Sequence, residues 1–317
     1  MTQAIRFGHQ AILKADSNPA AVAVRAEASG FDVFLVPDHV SPDRLAPMVS
    51  LANVANATTT IRLGTFVLNS DMRNPVQLAW EATSIDHLSG GRFELGLGAG
   101  HTPDEYEATG IPLSPATERK AALAERVEIL RRLLDGETVT VDGPHHRLDS
   151  ATVQRSYQQR LPILVGGNGA ALLGHAGAHA DIIGLQGLGR TQSDGHQHSV
   201  KWAVSHLDRQ IEQVCAGAGA RVDEIELNAL VQMVDVTDDA EQSLVDLAEM
   251  IGDGMTAAEL AEIPYVLIGS ADEIAQEILR ARDRWGITYF AVRALEDFAP
   301  VIARVRELEA VDARRES

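Results

Sequence analysis

Short apolar runs rich in β-branched and aromatic residues alternate along the chain with longer stretches in which apolar residues recur every three or four positions. These are the patterns of buried strands and of helices facing a core. The first run spans 5–12 and is followed by Asp16, Ser17 and Asn18, suited to capping a helix that Pro19 opens and Gly30 ends. The second, within FDVFLVPDHV at 31–40, stops at Pro37, which cannot donate to a sheet ladder, so the chain leaves the sheet carrying Asp38 and His39. Pro47 opens a second helix through Thr58, and 61–68 is a third strand with Gly64 inside it. Pro75 opens a third helix, with Leu78, Ala79, Ala82, Ile85 and Leu88 at helical spacing, and FELGLG at 93–98 is a fourth strand. Strand and helix thus alternate at intervals of about thirty residues, the length of a βαβ unit, which predicts a parallel sheet.

Between Gly98 and Pro162 the rhythm breaks. A loop with Pro103, Pro112 and Pro115 precedes a helix over 117–134, then two short strands, 138–141 and 146–149, about the Asp142-Gly143 turn. This insertion follows a strand's carboxyl end and reads as a cover over a site there, with a dimer surface as the alternative. The pattern resumes with strand 162–165, helix 170–178 and strand 181–185. A glycine-rich polar loop at 187–195 leads into a helix over 199–216, then strand 226–234 and helix 238–251. Segment 263–269 has no clear assignment; helix 271–285, strand 287–293 and helix 300–311 close the chain. Eight strands alternating with helices fit a (β/α)8 TIM barrel better than an open doubly wound sheet. The 317 residues exceed the usual barrel, and the surplus matches insertions after strands four and six. With no internal repeat and no linker, residues 1–317 are expected to form a single domain.

Charge narrows the function classes. A net charge of −18 and a pI near 4.9 argue against a sequence-independent hold on nucleic acid or an anionic membrane, which needs clustered Lys and Arg. An anionic ligand would have to be held locally, by backbone N–H groups and a few basic side chains. Cys215 is the only cysteine, so no intramolecular disulfide forms. The N-terminus lacks the apolar core of a signal peptide and no run reaches membrane-span length, so a cytoplasmic protein is expected.

Asp38 and His39 stand at a strand's carboxyl end, where ligands bind in α/β folds; the pair suits a structural hydrogen bond as well as proton transfer. Gly96, Gly98 and Gly100 imitate a dinucleotide fingerprint, but no helix follows at once, so they read instead as room for a ligand ring near backbone. His101 beside them is open between ligand contact and loop hydrogen bond. Gly166, Gly167, Asn168 and Gly169 precede a helix, a backbone arrangement suited to a phosphate. Gly64 within its strand suggests a bulge near Phe66 and Val67, with plain core packing as the alternative. His175 and His179 have the four-residue spacing of helical zinc ligands, yet no zincin glutamate lies between them and no third donor is evident. They read as cationic side chains near a helix C-terminus, and no metal is expected. His145, His146, His196 and His198 are too scattered for a metal site, and no nucleophile elbow, Walker loop or Cys-His pair occurs.

Together these segments resemble the luciferase-like monooxygenase superfamily, especially its branch that uses the deazaflavin coenzyme F420 in place of FMN. The resemblance rests on VPDHV, on LGTFVLNSDMRNPVQLAWEATSIDHLSGGRFELGLGAG, on ERVEILRRLLDGETVTVDGPHHRL, and on LPILVGGNG followed by HADIIG. It extends to about Gly184 and is weaker beyond. It implies a barrel with the flavin at the strands' carboxyl ends, Asp38 and His39 beside the reactive ring, and Phe66 and Val67 as a bulge behind it, often through a non-prolyl cis peptide. Gly100 would lie near the ring, and Gly166, Gly167 and Asn168 would hold the phosphate. His39 becomes the candidate acid or base, Asp38 its orienting partner or a ring contact, and His101 a secondary candidate. The implied reaction is hydride transfer between the deazaflavin and a small organic substrate, as in reductases of C=C or C=N bonds. An FMN-dependent monooxygenase and a non-catalytic flavin-binding barrel are the alternatives. Sugar-phosphate dehydrogenases of the branch carry a tryptophan shortly after the Asp-His pair and a glutamate past strand four. Asp43 and His101 stand there instead, so a glucose 6-phosphate-type substrate is not expected. Arg73, Arg190 and Arg293 are candidate anchors for an acidic substrate group, Arg293 being the best placed. Family habit implies a homodimer.

Overall fold

The computed structural model describes residues 3–191, 198–252 and 254–316. Eight parallel strands form its central sheet: β1 (Arg6–Gln10), β2 (Val33–Val36), β3 (Arg62–Thr65), β4 (Phe93–Gly98), β5 (Ile163–Gly166), β6 (Ile182–Leu185), β7 (Glu226–Leu230) and β8 (Ile287–Val292). Each pairs with its neighbour in sequence, and β1 pairs with β8 in the register Arg6 with Tyr289, so the sheet closes into the expected barrel. Alternation along β2 shows how the strands serve two cores. Val33 and Leu35 join Phe66, Leu164, Ile182 and Tyr289 inside the barrel, whereas Phe34 and Val36 face the layer beneath the helices. Helices α1 (Pro19–Ala28), α2 (Pro47–Ala57) and α3 (Pro75–Ser89) each begin with proline in the first turn, and Asn18 and Asn74 cap α1 and α3.

The segment expected to be a loop around Pro103 contains α4 (Pro103–Thr109), with Asp104 and Glu105 in its first turn and Gly110 ending it in the left-handed conformation. It is followed by α5 (Ala116–Leu134) and by an antiparallel pair, Val139–Asp142 with Arg147–Ala151. After β6 the expected glycine-rich loop is in part a strand: Leu188–Thr191 pairs antiparallel with His198–Val200, and the next helix starts at Val204. Residues 192–197, His196 among them, lie outside the described residues, as do the side chains of Arg190 and His198. The strand expected over 226–234 is two. The chain leaves the barrel after Leu230, and Met233–Val236 pairs in parallel with Val266–Gly269, the segment left unassigned. A third insertion therefore follows β7, beyond the two expected. On the outside of the barrel, α5 runs alongside α6 (Ala170–His179) in the same direction, and Glu128 of α5 faces His175 and His179 of α6, a neighbour that linear spacing could not supply.

At the amino-terminal end of the barrel, Arg6, Arg62, Glu94 and Glu226 form a buried network. Arg6 reaches Glu94 at 2.7 Å and Glu226 at 3.0 Å, while Arg62 donates to Glu94 at 2.5 Å. The Arg6 guanidinium also lies 4.4 Å over the Tyr289 ring. Burial opposes ionisation of Glu94, but the two arginines overcome it and hold its pKa below the ordinary value.

His9 is buried beside Phe31 and Phe34, and burial, with Arg25 adding to it, lowers its pKa to about 4. Because the folded value is depressed, the stability linked to neutral His9 is present above the unfolded pKa and is lost as pH falls from 6.5 to about 4. This single group is worth about 3 kcal/mol over that interval. The urea midpoint of the wild type is expected to fall more steeply across this window than that of His9→Leu; parallel declines would assign the acid sensitivity to other groups.

Candidate active site

Where the strands end at their carboxyl tips, the barrel opens into a cavity of about 980 Å³. Its floor follows from an interruption in the third strand. The strand halts at Thr65 and resumes at Leu68–Asn69, and the Phe66-Val67 peptide between them is cis. The Thr65 hydroxyl fills the break, donating to the Gly96 carbonyl at 2.8 Å and accepting from the Gly96 N–H at 2.9 Å. A Cβ at Gly96 would overlap the Thr65 carbonyl, so glycine is required for this closeness. Gln10 donates to the Phe66 carbonyl at 2.9 Å, and a Cβ at Gly98 would come within 2.6 Å of Val67 Cγ2. Phe66, Val67 and the Gly98 backbone thus pack closely along one side of the cavity.

Asp38 and His39 both line the cavity, but they are not partners. Asp38 is buried, forms a bidentate pair with Arg73 with one arm at 3.1 Å, and accepts from the Asn69 N–H at 2.9 Å. The expected Asp38-to-His39 orienting role is therefore corrected: the aspartate ties the strand-two turn to the segment after the Phe66-Val67 bulge. Arg73 is occupied by that pairing and does not line the cavity, so it is no substrate anchor. The carboxylate beside His39 is Glu105, whose Oε1 lies 2.7 Å from Nδ1. Glu105 is 7% exposed and His39 48%, so a buried carboxylate holds a ring that reaches into the open cavity. This contact fixes Nδ1 as the protonated nitrogen facing Glu105 and leaves Nε2 for exchange with a bound molecule. His101 also lines the cavity, its ring edge-on to that of His39 at 6.0 Å.

The far wall is polar and cationic. Gly166, Gly167 and Asn168 lead into α6, whose N-cap residue Gly169 supplies no side-chain hydrogen bond, so the first N–H groups are uncapped by a side chain. Lys120 reaches over from α5 to the Asn168 carbonyl at 2.7 Å, and Arg119 beside it contacts the Gly100 carbonyl at 3.2 Å. Burial and the neighbouring Arg119 charge lower the Lys120 pKa. A helix N-terminus with the Lys120 cation beside it answers how so acidic a chain can hold an anion. Gly100, at φ 70°, keeps its turn clear of Asn69 and Tyr106; burial, together with the Asp71 charge, pushes the Tyr106 hydroxyl up to about 12. Arg293, just past β8, lines the opposite rim; burial lowers its pKa, and no carboxylate among the described residues pairs with it. Asp43 bonds Ser41 in an exposed turn and does not line the cavity.

The fold therefore gathers Asp38, His39, His101, Phe66, Val67, Gly100, Gly166, Gly167, Asn168 and Arg293 about one cavity. Glu105, Arg119 and Lys120 complete it and were not foreseen. Their signals were the acidic first turn after Pro103 and the paired cations at the start of a long helix.

The luciferase-like monooxygenase model matches residues 17–262. An F420-dependent glucose-6-phosphate dehydrogenase of Nakamurella multipartita is 30% identical over 89% of this chain and 82% of its own length. One from Kineococcus radiotolerans is 34% identical over 56% of each. Most other relatives of this name are matched over little more than half their length. Among solved structures, the coenzyme F420-dependent tetrahydromethanopterin reductase of Methanopyrus kandleri superposes with a TM-score of 0.72 at 20% identity, covering 95% of this chain and 98% of that one. That likeness extends the barrel over nearly the whole chain. With the family model matched across the barrel wall, the bulge and the glycine-rich turn, the chain belongs to the luciferase-like monooxygenase family.

Proposed function

We propose that this chain is a coenzyme F420-dependent oxidoreductase that transfers hydride between the deazaflavin and a small organic substrate, as a reductase of a C=C or C=N bond. The observation that carries the reading is one cavity joining three things: the cis bulge at Phe66 and Val67, the glycine turn at Gly166–Asn168 with Lys120, and the Glu105-held His39. The relatives named F420-dependent dehydrogenases support the choice of cofactor.

The residues fit such a group. Phe66, Val67 and the backbone of Gly98–Gly100 offer a ring-sized wall, and the N–H groups at the start of α6, with Lys120, offer a phosphate site. A bound deazaflavin supplies the hydride. Reducing a C=C or C=N bond takes one hydride and one proton, and His39 Nε2 is placed to give the proton to the substrate. Glu105 keeps the ring oriented and stabilises the imidazolium before transfer and the correct tautomer after it. His101, edge-on to that ring, is the secondary proton group. Asp38 keeps Arg73 and the post-bulge turn in place. Arg293 anchors an acidic group on the substrate, because no carboxylate among the described residues satisfies its guanidinium. Asp43 provides no wall at the place where a sugar-phosphate enzyme carries tryptophan, which argues for a substrate other than glucose 6-phosphate.

Parallel calorimetric titrations with F420 and FMN, each oxidised and reduced, test this reading. F420 is expected to bind in the micromolar range, about 8 kcal/mol, with FMN at least about tenfold weaker. Tight FMN binding without F420 affinity would replace the proposal with an oxygen-dependent monooxygenase. F420 binding without turnover of any activated C=C or C=N compound would leave a flavin-binding barrel.

A further inference from the structure

We propose that Glu128, His175 and His179 form a transition-metal site, of the kind zinc occupies, that staples α5 to α6 on the outside of the barrel. The two histidines stand one helical turn apart with their rings stacked, centroids 4.4 Å apart and planes at 26°. Both Nε2 atoms face the same carboxylate oxygen, Glu128 Oε1, at 3.7 and 3.9 Å. The three donor atoms all lie within 4.8 Å of one another. Around a tetrahedral ion with bonds of about 2.0–2.2 Å, neighbouring donors sit about 3.3 Å apart. Closing on an ion therefore takes small side-chain movements, and the side chains that must move most freely are exposed: His179 at 41% and Glu128 at 52%.

The donor chemistry is selective. Two imidazoles and one carboxylate suit zinc, cobalt, nickel or copper, with water in the remaining position, and not the all-oxygen preference of magnesium or calcium. A plain ion-pair role fits less well. Stacked histidines repel when both are charged, so one glutamate cannot hold both as cations without cost. As neutral ligands they have no such conflict. Binding would break the 3.0 Å contact between His175 Nε2 and the Ala124 carbonyl, but a carbonyl inside a helix keeps its own backbone N–H partner.

The site lies eight residues along α5 from Lys120, about 12 Å of helical rise. It would fix the last turns of α6 against the middle of α5, beyond the Lys120–Asn168 contact that joins the start of α5 to the turn before α6. Its effect is thus on the rigidity and stability of that helix pair.

The test is calorimetric titration of the full chain with zinc sulfate near neutral pH, followed by thermal unfolding with and without zinc. One zinc per chain is expected, and both His179→Ala and Glu128→Gln should weaken binding by about tenfold or more and abolish the zinc-dependent rise in Tm. His39→Ala should bind zinc as the wild type does, which separates this site from the His39–Glu105 pair. Cobalt should give the visible absorption of a tetrahedral nitrogen and oxygen site in the wild type and in His39→Ala, but not in His179→Ala or Glu128→Gln. No saturable binding below about 100 μM, or unchanged affinity in both outer variants, would overturn the proposal.

Discussion

Replacing His39 with alanine is expected to reduce turnover about 10²- to 10⁴-fold while F420 affinity stays within about threefold of the wild type. The split follows from geometry. His39 projects from the strand-two turn with its Nδ1 held by Glu105, whereas the floor at Phe66 and Val67 and the cradle at Gly166–Asn168 are built by other strands. Losing the ring removes a proton from the transition state and little from ground-state binding of the cofactor. Glu105→Gln retains a hydrogen-bond acceptor but not the charge that stabilises imidazolium, so it should lower kcat by a smaller factor than His39→Ala does. The double variant should be little worse than His39→Ala alone, because Glu105 acts through His39. Turnover in His39→Ala near the wild-type level would transfer the proton role to His101.

The largest effect on stability is expected at Glu94. Its carboxylate is almost fully buried and is shared by Arg6 and Arg62 at the closed end of the barrel. Glu94→Gln preserves shape but removes the charge that Arg6 and Arg62 share, leaving Arg6 with Glu226 and Arg62 with only neutral partners, the Phe93 carbonyl and Gln158, and it should cost about 3–5 kcal/mol in urea unfolding. Removing Arg62 in the same chain should restore part of that loss, since the charge imbalance is then relieved. A loss below about 1 kcal/mol would mean that water reaches the network and screens it. The cavity lies at the other end of the strands, so F420 affinity of the folded variant should be unaffected.

The barrel was legible because its strands are buried on both faces and read as mainly apolar runs, VFLV and, apart from Glu94, FELGLG among them, each set off by proline or glycine. The glycine turns and the Asp38-His39 pair were legible for a related reason: each ends a strand. The partners of those residues were not. Asp38 meets Arg73 across 35 residues and His39 meets Glu105 across 66, distances over which spacing says nothing. Glu105 was hidden further by its setting, a helix of seven residues among three prolines that reads as loop. The insertion after β7 was missed because no glycine or proline separates Leu230 from Met233, so two strands of different sheets run together as one apolar segment. Glu128 and the α6 histidines belong to the same class, being joined only by the packing of two helices.

The Thr65 hydroxyl between the two Gly96 backbone groups has a consequence for how the fold can be repurposed. It rivets the floor to the barrel wall, so the plane on which a cofactor ring rests is fixed by strands three and four. Part of the rim, including Glu105, Leu113, Ala116 and Val200, comes from α4, the loop after it, the start of α5 and the strand pair after β6, none of which carries a barrel strand. Exchanging residues 107–115, which leaves His101, Glu105 and Lys120 in place, changes the guest without moving the bench it sits on and makes that segment the natural unit for grafting new substrate preferences onto this chain.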